Sequence, residues 1–315
     1  MNRNARRRYA SGASLAVVYS LTVLALIPLG LVLWFTITKG FPSVLHPEFF
    51  TNTFRPVGVP GAGIIHAIVG TGILVGLASL MALPIGILGG VYLAEYGVAR
   101  WASWVRLASD VLVGTPSIAI GLFAYAVVVA PFHHFSGYAG SVALAILMLP
   151  IVIRTTEGAV ALIPNGLRES GLALGLPRWR VSLQLILPAA APGVITGALL
   201  AVARASGETA PLLFTAFGNQ HLVFDPNGQL QALPLTVYQY ALLPYKSLQD
   251  QAWGAALVLV VMVLGINLVS RGGKIDPGKT QARTVDLTQP GTYLFVCNIP
   301  GHFKAGMYAV VTVIN

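Results

Sequence analysis

An arginine and a glutamate four residues apart, Arg204 and Glu208, interrupt an apolar run that begins near Ala190. An arginine at mid-membrane depth costs about 2.5–3.5 kcal/mol on insertion scales, so it is expected to face a partner or a water-filled path rather than lipid. On a continuous helix the two residues share a face, but arginine preceding glutamate is the weaker order for supporting a helix. A permeating anion is a better reason for the pair. A guanidinium offers planar paired donors that match an oxyanion, and Glu208 can neutralise it when the path is empty. A buried structural ion pair is the alternative. Arg154, at the end of the preceding apolar run, could present a second cation to the same anion or serve only as an anchor at the membrane surface.

A second constellation, between Arg154 and Pro188, carries mechanics rather than chemistry. Asn165 is expected to cap a short helix with Glu169, Ser170 and Gly171 on its middle turn. The helix should stop at Gly175, with Pro177 just beyond as a residue that cannot continue it. A further helical stretch should then end at Leu187-Pro188. Small side chains at 170 and 171 would allow close approach of a partner, and a rigid cap would let a push on this segment turn the next membrane helix. An ordinary polar loop between two spans is the plain alternative.

The elements that must hold these residues are membrane helices. Of 315 residues 56% are hydrophobic and only 9% charged, with a mean hydropathy of +0.76, whereas soluble domains carry about 25% charged residues. The apolar runs predict six spans, near residues 15–36, 64–93, 107–130, 140–153, 190–217 and 253–269, with Pro84 bending the second and Gly114-Thr115-Pro116 interrupting the third. The basic balance, 19 Lys plus Arg against 10 Asp plus Glu, resides in short loops and reports orientation rather than nucleic-acid binding. Arg3, Arg6, Arg7, Arg8, Arg100, Arg106, Arg168, Arg178, Arg180, Arg271 and Lys274 fall on one side, and Lys39, Arg55 and Lys246 on the other. Both termini and the Glu169 segment are therefore expected in the cytosol. His133 and His134 read as surface residues of an outer turn, and the single cysteine, Cys297, excludes an internal disulfide.

The spacing Glu169-Ser170-Gly171, Gly175, Leu187-Pro188 resembles, as Glu-small-small, three residues, Gly, nine residues, aliphatic-x-Leu-Pro, the EAA loop of ABC-importer permeases, whose cytosolic helix docks into a groove of the ATP-hydrolysing subunit. The run Arg204-Ala-Ser-Gly-Glu-Thr-Ala-Pro-Leu212 resembles the fifth-span motif of phosphate-importer permeases of the PstA type. Ala67-Ile-Val-Gly-Thr71 and Tyr92-Leu-Ala-Glu-Tyr96 add to that resemblance, which covers about residues 10–271. It implies an all-α polytopic membrane protein of the MetI-like fold, working as half of a phosphate translocation pathway in a bacterial or archaeal cell membrane. The implied partners are a sister permease of the PstC type, a dimer of ATP-binding subunits of the PstB type and a periplasmic phosphate-binding protein. No Gly-x-x-x-x-Gly-Lys-Ser/Thr loop occurs in the chain, so ATP hydrolysis is expected on a partner and no enzyme activity or cofactor here. Phosphate keeps a proton near neutral pH and can donate a hydrogen bond to Glu208, while sulfate cannot. Permeases for molybdate or sulfate share the docking loop and remain the nearest alternative.

The tail departs from that pattern. Domains are expected at 1–13 (basic N-terminus), 14–271 (permease) and 272–315, the last with short β-favouring segments around 283–287, 292–297 and 308–314. Cys297-x4-His302-x4-Met307, with Pro300-Gly301 before the histidine, resembles the last ligand loop of cupredoxins. That resemblance implies thiolate, imidazole and thioether ligands for copper. The site is incomplete, because a blue-copper centre needs a second imidazole and His302 is the only histidine after His221. About 44 residues are also too few to close a two-sheet sandwich. The tail reads as a cupredoxin fragment without a working copper centre, with a weak Cu(I) site as the alternative. A membrane-anchored copper or redox protein is the competing function for the whole chain, but an anchor would need neither Arg204 and Glu208 nor the capped segment at 169–175.

Overall fold

The computed structural model describes residues 3–97, 100–271, 291–296 and 308–313. By contacts the chain separates into two units, Met1–Leu268 and Val269–Asn315.

The first unit is helical. In chain order it runs α1 (Arg3–Val44), α2 (Glu48–Thr51), α3 (Ile65–Tyr96), α4 (Arg100–Gly114), α5 (Ser117–Ala124), a π-helical turn (Tyr125–Val129) and α6 (Ala130–Phe132). There follow α7 (Gly137–Ala161), α8 (Asn165–Ala173), α9 (Arg178–Arg180), a second π-helical stretch (Val181–Ile186), α10 (Leu187–Ser206), α11 (Ala210–Leu213), α12 (Leu233–Ala241) and α13 (Lys246–Arg271). Among the described residues, five helical segments are long and apolar enough to cross a membrane: Ser14–Val44, Ile65–Tyr96, Gly137–Ala161, Arg178–Ser206 and Lys246–Leu268. A sixth crossing is met only by the pair Trp101–Gly114 and Ser117–Phe132, which is bent by 109°.

The interruption expected at Gly114-Thr115-Pro116 is present, and it turns the third crossing sharply. Proline lacks an N–H and disfavours helical backbone at the residue before it. Pro116 adopts an extended ψ of 133° and a new helix starts at Ser117. Pro188 does the opposite of what was expected and ends nothing. The π-helical turn Val181–Ile186 re-registers the carbonyls ahead of it, so Pro188 enters the first turn of α10, where its missing N–H costs little. The helical path from Arg178 to Ser206 is thus continuous. Pro84 lies within α3, which runs on for 32 residues.

Packing between these helices relies on close approach, since lipid offers helices no hydrophobic reason to associate. Two small-xxx-small seams flank α7. On α3, a Cβ at Gly86 would stand 2.7 Å from Val152 Cγ1, and one at Gly90 would stand 2.6 Å from both Ile153 O and Thr156 Cβ. On α10, a Cβ at Gly193 would stand 2.8 Å from Ala159 Cβ, and one at Gly197 would collide with Thr155 Oγ1. Around these seams Leu74, Ala78, Ala82, Leu144, Met148, Val152, Ala201 and Ala205 form the principal core.

The stretch between the fifth and sixth spans carries the short helix α12. Gly70 leaves room for the carbonyl of Gln231, and Thr71 Oγ1 accepts a hydrogen bond from Leu233 N at 2.8 Å. A hydroxyl on α3 thereby serves a first-turn N–H of α12, which has no cap of its own. This gives a physical reason for Gly70-Thr71 in the opening of the second span.

The described part of the second unit is an antiparallel pair, β1 (Gly291–Val296) and β2 (Tyr308–Val313), in register from Gly291 opposite Val313 to Val296 opposite Tyr308. Residues 283–287 lie outside the described residues.

Candidate functional site

Arg204 sits in the last turn of α10, where the helix macrodipole favours a cation. Glu208 does not share its helix. The helix ends at Ser206, Gly207 caps it, and the chain resumes helical form only at Ala210. The common-face expectation is corrected accordingly, the cause being Gly207 followed by Pro211, which can enter a helix only in its first turn. The two side chains still meet: Arg204 Nε lies 3.6 Å from Glu208 Oε1, with the arginine 49% exposed and the glutamate 17%. The contact is an ion pair without a closed hydrogen bond, so most of the guanidinium fork remains available to a third group.

Arg154 is held elsewhere. Its Nη1 lies 2.9 Å from Glu157 Oε2, its Nε lies 3.0 Å from Asp110 Oδ1, and its Nη2 donates to Asp110 Oδ2 at 3.3 Å. Glu157, 14% exposed, also accepts from Arg106 Nε at 2.6 Å, and Arg106 donates onward to the carbonyls of Leu93 and Gly97. Asp110, Arg154, Glu157 and Arg106 therefore form one alternating ionic chain between α4 and α7. The contacts of Gly193 with Ala159 and of Gly197 with Thr155 set α10 antiparallel to α7. Extending that register places Arg204 level with Met148, so Arg154 lies about 9 Å further along the axis towards α8. The two arginines hold different partners at different depths.

The Glu169 segment folds as α8, but Pro164, not Asn165, occupies the cap position, with extended backbone and no capping side chain. Asn165 begins the helix and turns its Oδ1 to Arg168 Nη1 at 3.3 Å. The C-terminus matches expectation in detail. Gly175 has φ +78°, Leu176 N donates to Gly171 O at 3.2 Å, and Gly175 N donates to Leu172 O at 2.9 Å. These are the paired bonds of a Schellman cap. Glu169 and Ser170 are exposed, and Ser170 Oγ donates to Gly166 O. Gly171 is buried against this chain's own Val181 and Leu185, where a Cβ would stand 2.9 and 2.7 Å from their methyl groups. Its smallness serves packing of α8 on the root of α10. Leu187 is half-buried at that root and Pro188 is exposed.

A bond the sequence reading did not contain fixes the other side of α8. Arg168 reaches Glu95 Oε1 through Nε at 2.9 Å and Nη2 at 2.7 Å. His133 and His134 are exposed, and no group of three or more metal-binding side chains occurs among the described residues. Cys297, His302 and Met307 lie outside the described residues. The donor set they offer lacks the second imidazole of a blue-copper centre, since no histidine lies between His221 and His302.

Helices packed through glycine seams, a bent third crossing and a capped helix between the fourth and fifth spans define a multi-span permease of the MetI-like ABC-importer fold. A chain from a solved inward-facing structure of the MetNI methionine ABC transporter superposes with a TM-score of 0.52 at 20% identity, covering 66% of this chain and 91% of that one. The chain belongs to the family of binding-protein-dependent transport system inner membrane components, which it matches over residues 86–273. Its relatives include phosphate transport system permease protein PstA of Yersinia pestis, 41% identical over 270 residues, 85% of this chain and 91% of that protein. The protein of the same name from Haemophilus influenzae is 42% identical over 274 residues, 86% and 96% of the two chains. PstA 1 of Mycobacterium tuberculosis is 36% identical over 270 residues, 84% and 88%. Residues 270–314 match copper binding proteins of the plastocyanin/azurin family.

Proposed function

We propose that this chain is a permease subunit of an ATP-driven phosphate importer. It forms half of the translocation pathway with a sister permease of the PstC type and is coupled through α8 to a dimer of ATP-binding subunits of the PstB type. A periplasmic phosphate-binding protein delivers the substrate, and both termini face the cytosol. Support for phosphate comes from relatives more than 40% identical over most of the chain that are named as phosphate permeases.

The observation that carries the mechanism is the loose Arg204–Glu208 pair at the break after α10. The guanidinium keeps donors for an oxyanion, and Glu208 accepts a hydrogen bond from the protonated oxygen that phosphate retains and sulfate lacks. Gly207 to Thr209 break the helix directly after the apolar segment Arg178–Ser206, and non-helical backbone beside a span suits a place covered by protein or lining a watery path. Arg154, whose guanidinium is taken up by Asp110 and Glu157, serves as an anchor between α4 and α7 rather than as a second cation for the anion. The exposed Glu169 and Ser170 face of α8 is the surface offered to the ATPase. Residues 272–315 act as a partial cupredoxin-like appendage, and transport does not depend on copper there.

Proteoliposomes holding this chain with a matching sister permease, ATPase and binding protein test the reading. ATP-dependent uptake of phosphate in preference to sulfate is expected. Equal uptake of both anions, or a Glu208→Gln variant with unchanged preference, would reject the selectivity mechanism, and no phosphate uptake by the assembled complex would reject the function.

A further inference from the structure

The guanidinium of Arg168 is used almost completely. Besides Glu95 it donates through Nη1 to Ile163 O at 2.5 Å and through Nη2 to Val160 O at 3.0 Å. Those carbonyls belong to the C-terminal end of α7 and the turn beyond it, where groups without intrahelical partners need donors. Glu95 lies in the last turn of α3, an unfavourable place for a carboxylate because the helix dipole is negative there. It is nevertheless only 10% exposed, beside an arginine that is 20% exposed. A buried carboxylate in that position requires its cation.

Chain connectivity sharpens the point. Helix α8 is joined to α7 through residues 162–164 and, through residues 174–177, to the continuous helical path from Arg178 that becomes α10, so movement of α8 reaches both through the backbone. No such short link joins it to α3, whose Glu95 lies 73 residues before Arg168. Their polar link is the Arg168–Glu95 pair. Gly171, three residues on, seats the same helix against Val181 and Leu185. One nine-residue helix thereby grips the ends of α3 and α7 with its first half and the root of α10 with its second.

We propose that Arg168 and Glu95 are positioning residues that tie α3 to α8, so that displacement of α8 by the ATPase moves α3 together with α7 and α10. This rests on the reading of α8 as the ATPase-coupling helix. Lysine cannot replace the arginine, because a single ammonium cannot hold Glu95 in a two-nitrogen grip and also serve both carbonyls.

The test compares the reconstituted importer carrying the unmodified chain, Glu95→Gln, Arg168→Lys and the double variant, measuring phosphate translocated per ATP hydrolysed. Each single variant is expected to lower that ratio about tenfold, within the range of ordinary coupling effects, while ATP hydrolysis persists. The double variant should fall no further than the worse single one. An unchanged ratio in both single variants would overturn the proposal. So would a parallel fall of uptake and hydrolysis, or loss of assembly by both variants, since either makes the pair a structural brace. Glu95→Gln keeps the shape of the side chain and decides alone if Arg168→Lys does not assemble. If the unmodified complex transports no phosphate, the functional reading fails as well; transport by it with unchanged ratios in the variants removes only this pair's role.

Discussion

Replacing Gly197 by alanine should force α10 and α7 apart. The new Cβ would meet Thr155 Oγ1 and lie 2.5 Å from Thr155 Cβ and 3.2 Å from its Cγ2. A change of rotamer gives no escape, because the Cβ itself is in the way and the hydroxyl is already bonded to Ile151 O at 2.8 Å and Val152 O at 3.2 Å. Overpacking of this kind costs about 1–3 kcal/mol, and backbone-fixed atoms put the collision near the upper end. Alanine's better helix propensity returns up to about 1 kcal/mol, leaving a net loss of about 2 kcal/mol. Gly158, on α7 with no atom within 4 Å of an added Cβ, is the control: Gly158→Ala should be neutral or slightly stabilising. Unfolding free energies measured in bicelles would check this. A double cycle with Thr155→Gly, which moves the missing side chain to the facing helix, should recover most of the loss. If Gly197→Ala is as stable as Gly158→Ala, or if Thr155→Gly gives no recovery, the seam is not close-packed as described.

Gly175→Ala should cost about 1–2 kcal/mol through left-handed backbone strain alone, because φ is +78° and no atom lies within 4 Å of the added carbon. Gly166→Ala on the same helix should cost nothing, and thermal unfolding compares the two. Glu157→Gln should destabilise by about 1–2 kcal/mol, reduced from the fully buried value because Arg106 and Arg154 are partly exposed; Asp110→Asn, at a 55% exposed position, should have a smaller effect that high salt removes. A chain ending at Arg271 should transport phosphate as well as the full-length chain. Uptake that needs the tail would instead call for copper titration of Cys297, His302 and Met307.

Much of this architecture is legible in local sequence. Apolar run lengths mark the crossings, Gly175 followed by Pro177 marks the end of α8, and Arg204 and Glu208 stand out as charges in an apolar run. Partners far apart in sequence are not legible. Glu95 and Arg168 are 73 residues apart, Arg106 and Glu157 are 51 apart, and Asp110 and Arg154 are 44 apart, and nothing local to either residue identifies the other. Counting Arg106 and Arg168 only as markers of orientation missed that both close the ends of helices. Pro188 was misleading for a different reason: a widened helical turn just upstream absorbs the missing donor, and propensity does not report such turns. The glycine pairs at 86 and 90 and at 193 and 197 were readable as small-xxx-small seams, and that spacing is the signal that would have found them.

The central claim is that Arg204 binds the transported anion. Its most direct test is ATP-dependent phosphate uptake by the reconstituted importer carrying Arg204→Ala, beside Arg204→Lys and the unmodified chain, with assembly confirmed. Loss of one well-placed donor to an oxyanion should lower uptake by about a hundredfold or more, with lysine restoring only part because it keeps the charge and loses the fork. Undiminished uptake by Arg204→Ala would contradict the account and reduce the pair to a structural contact.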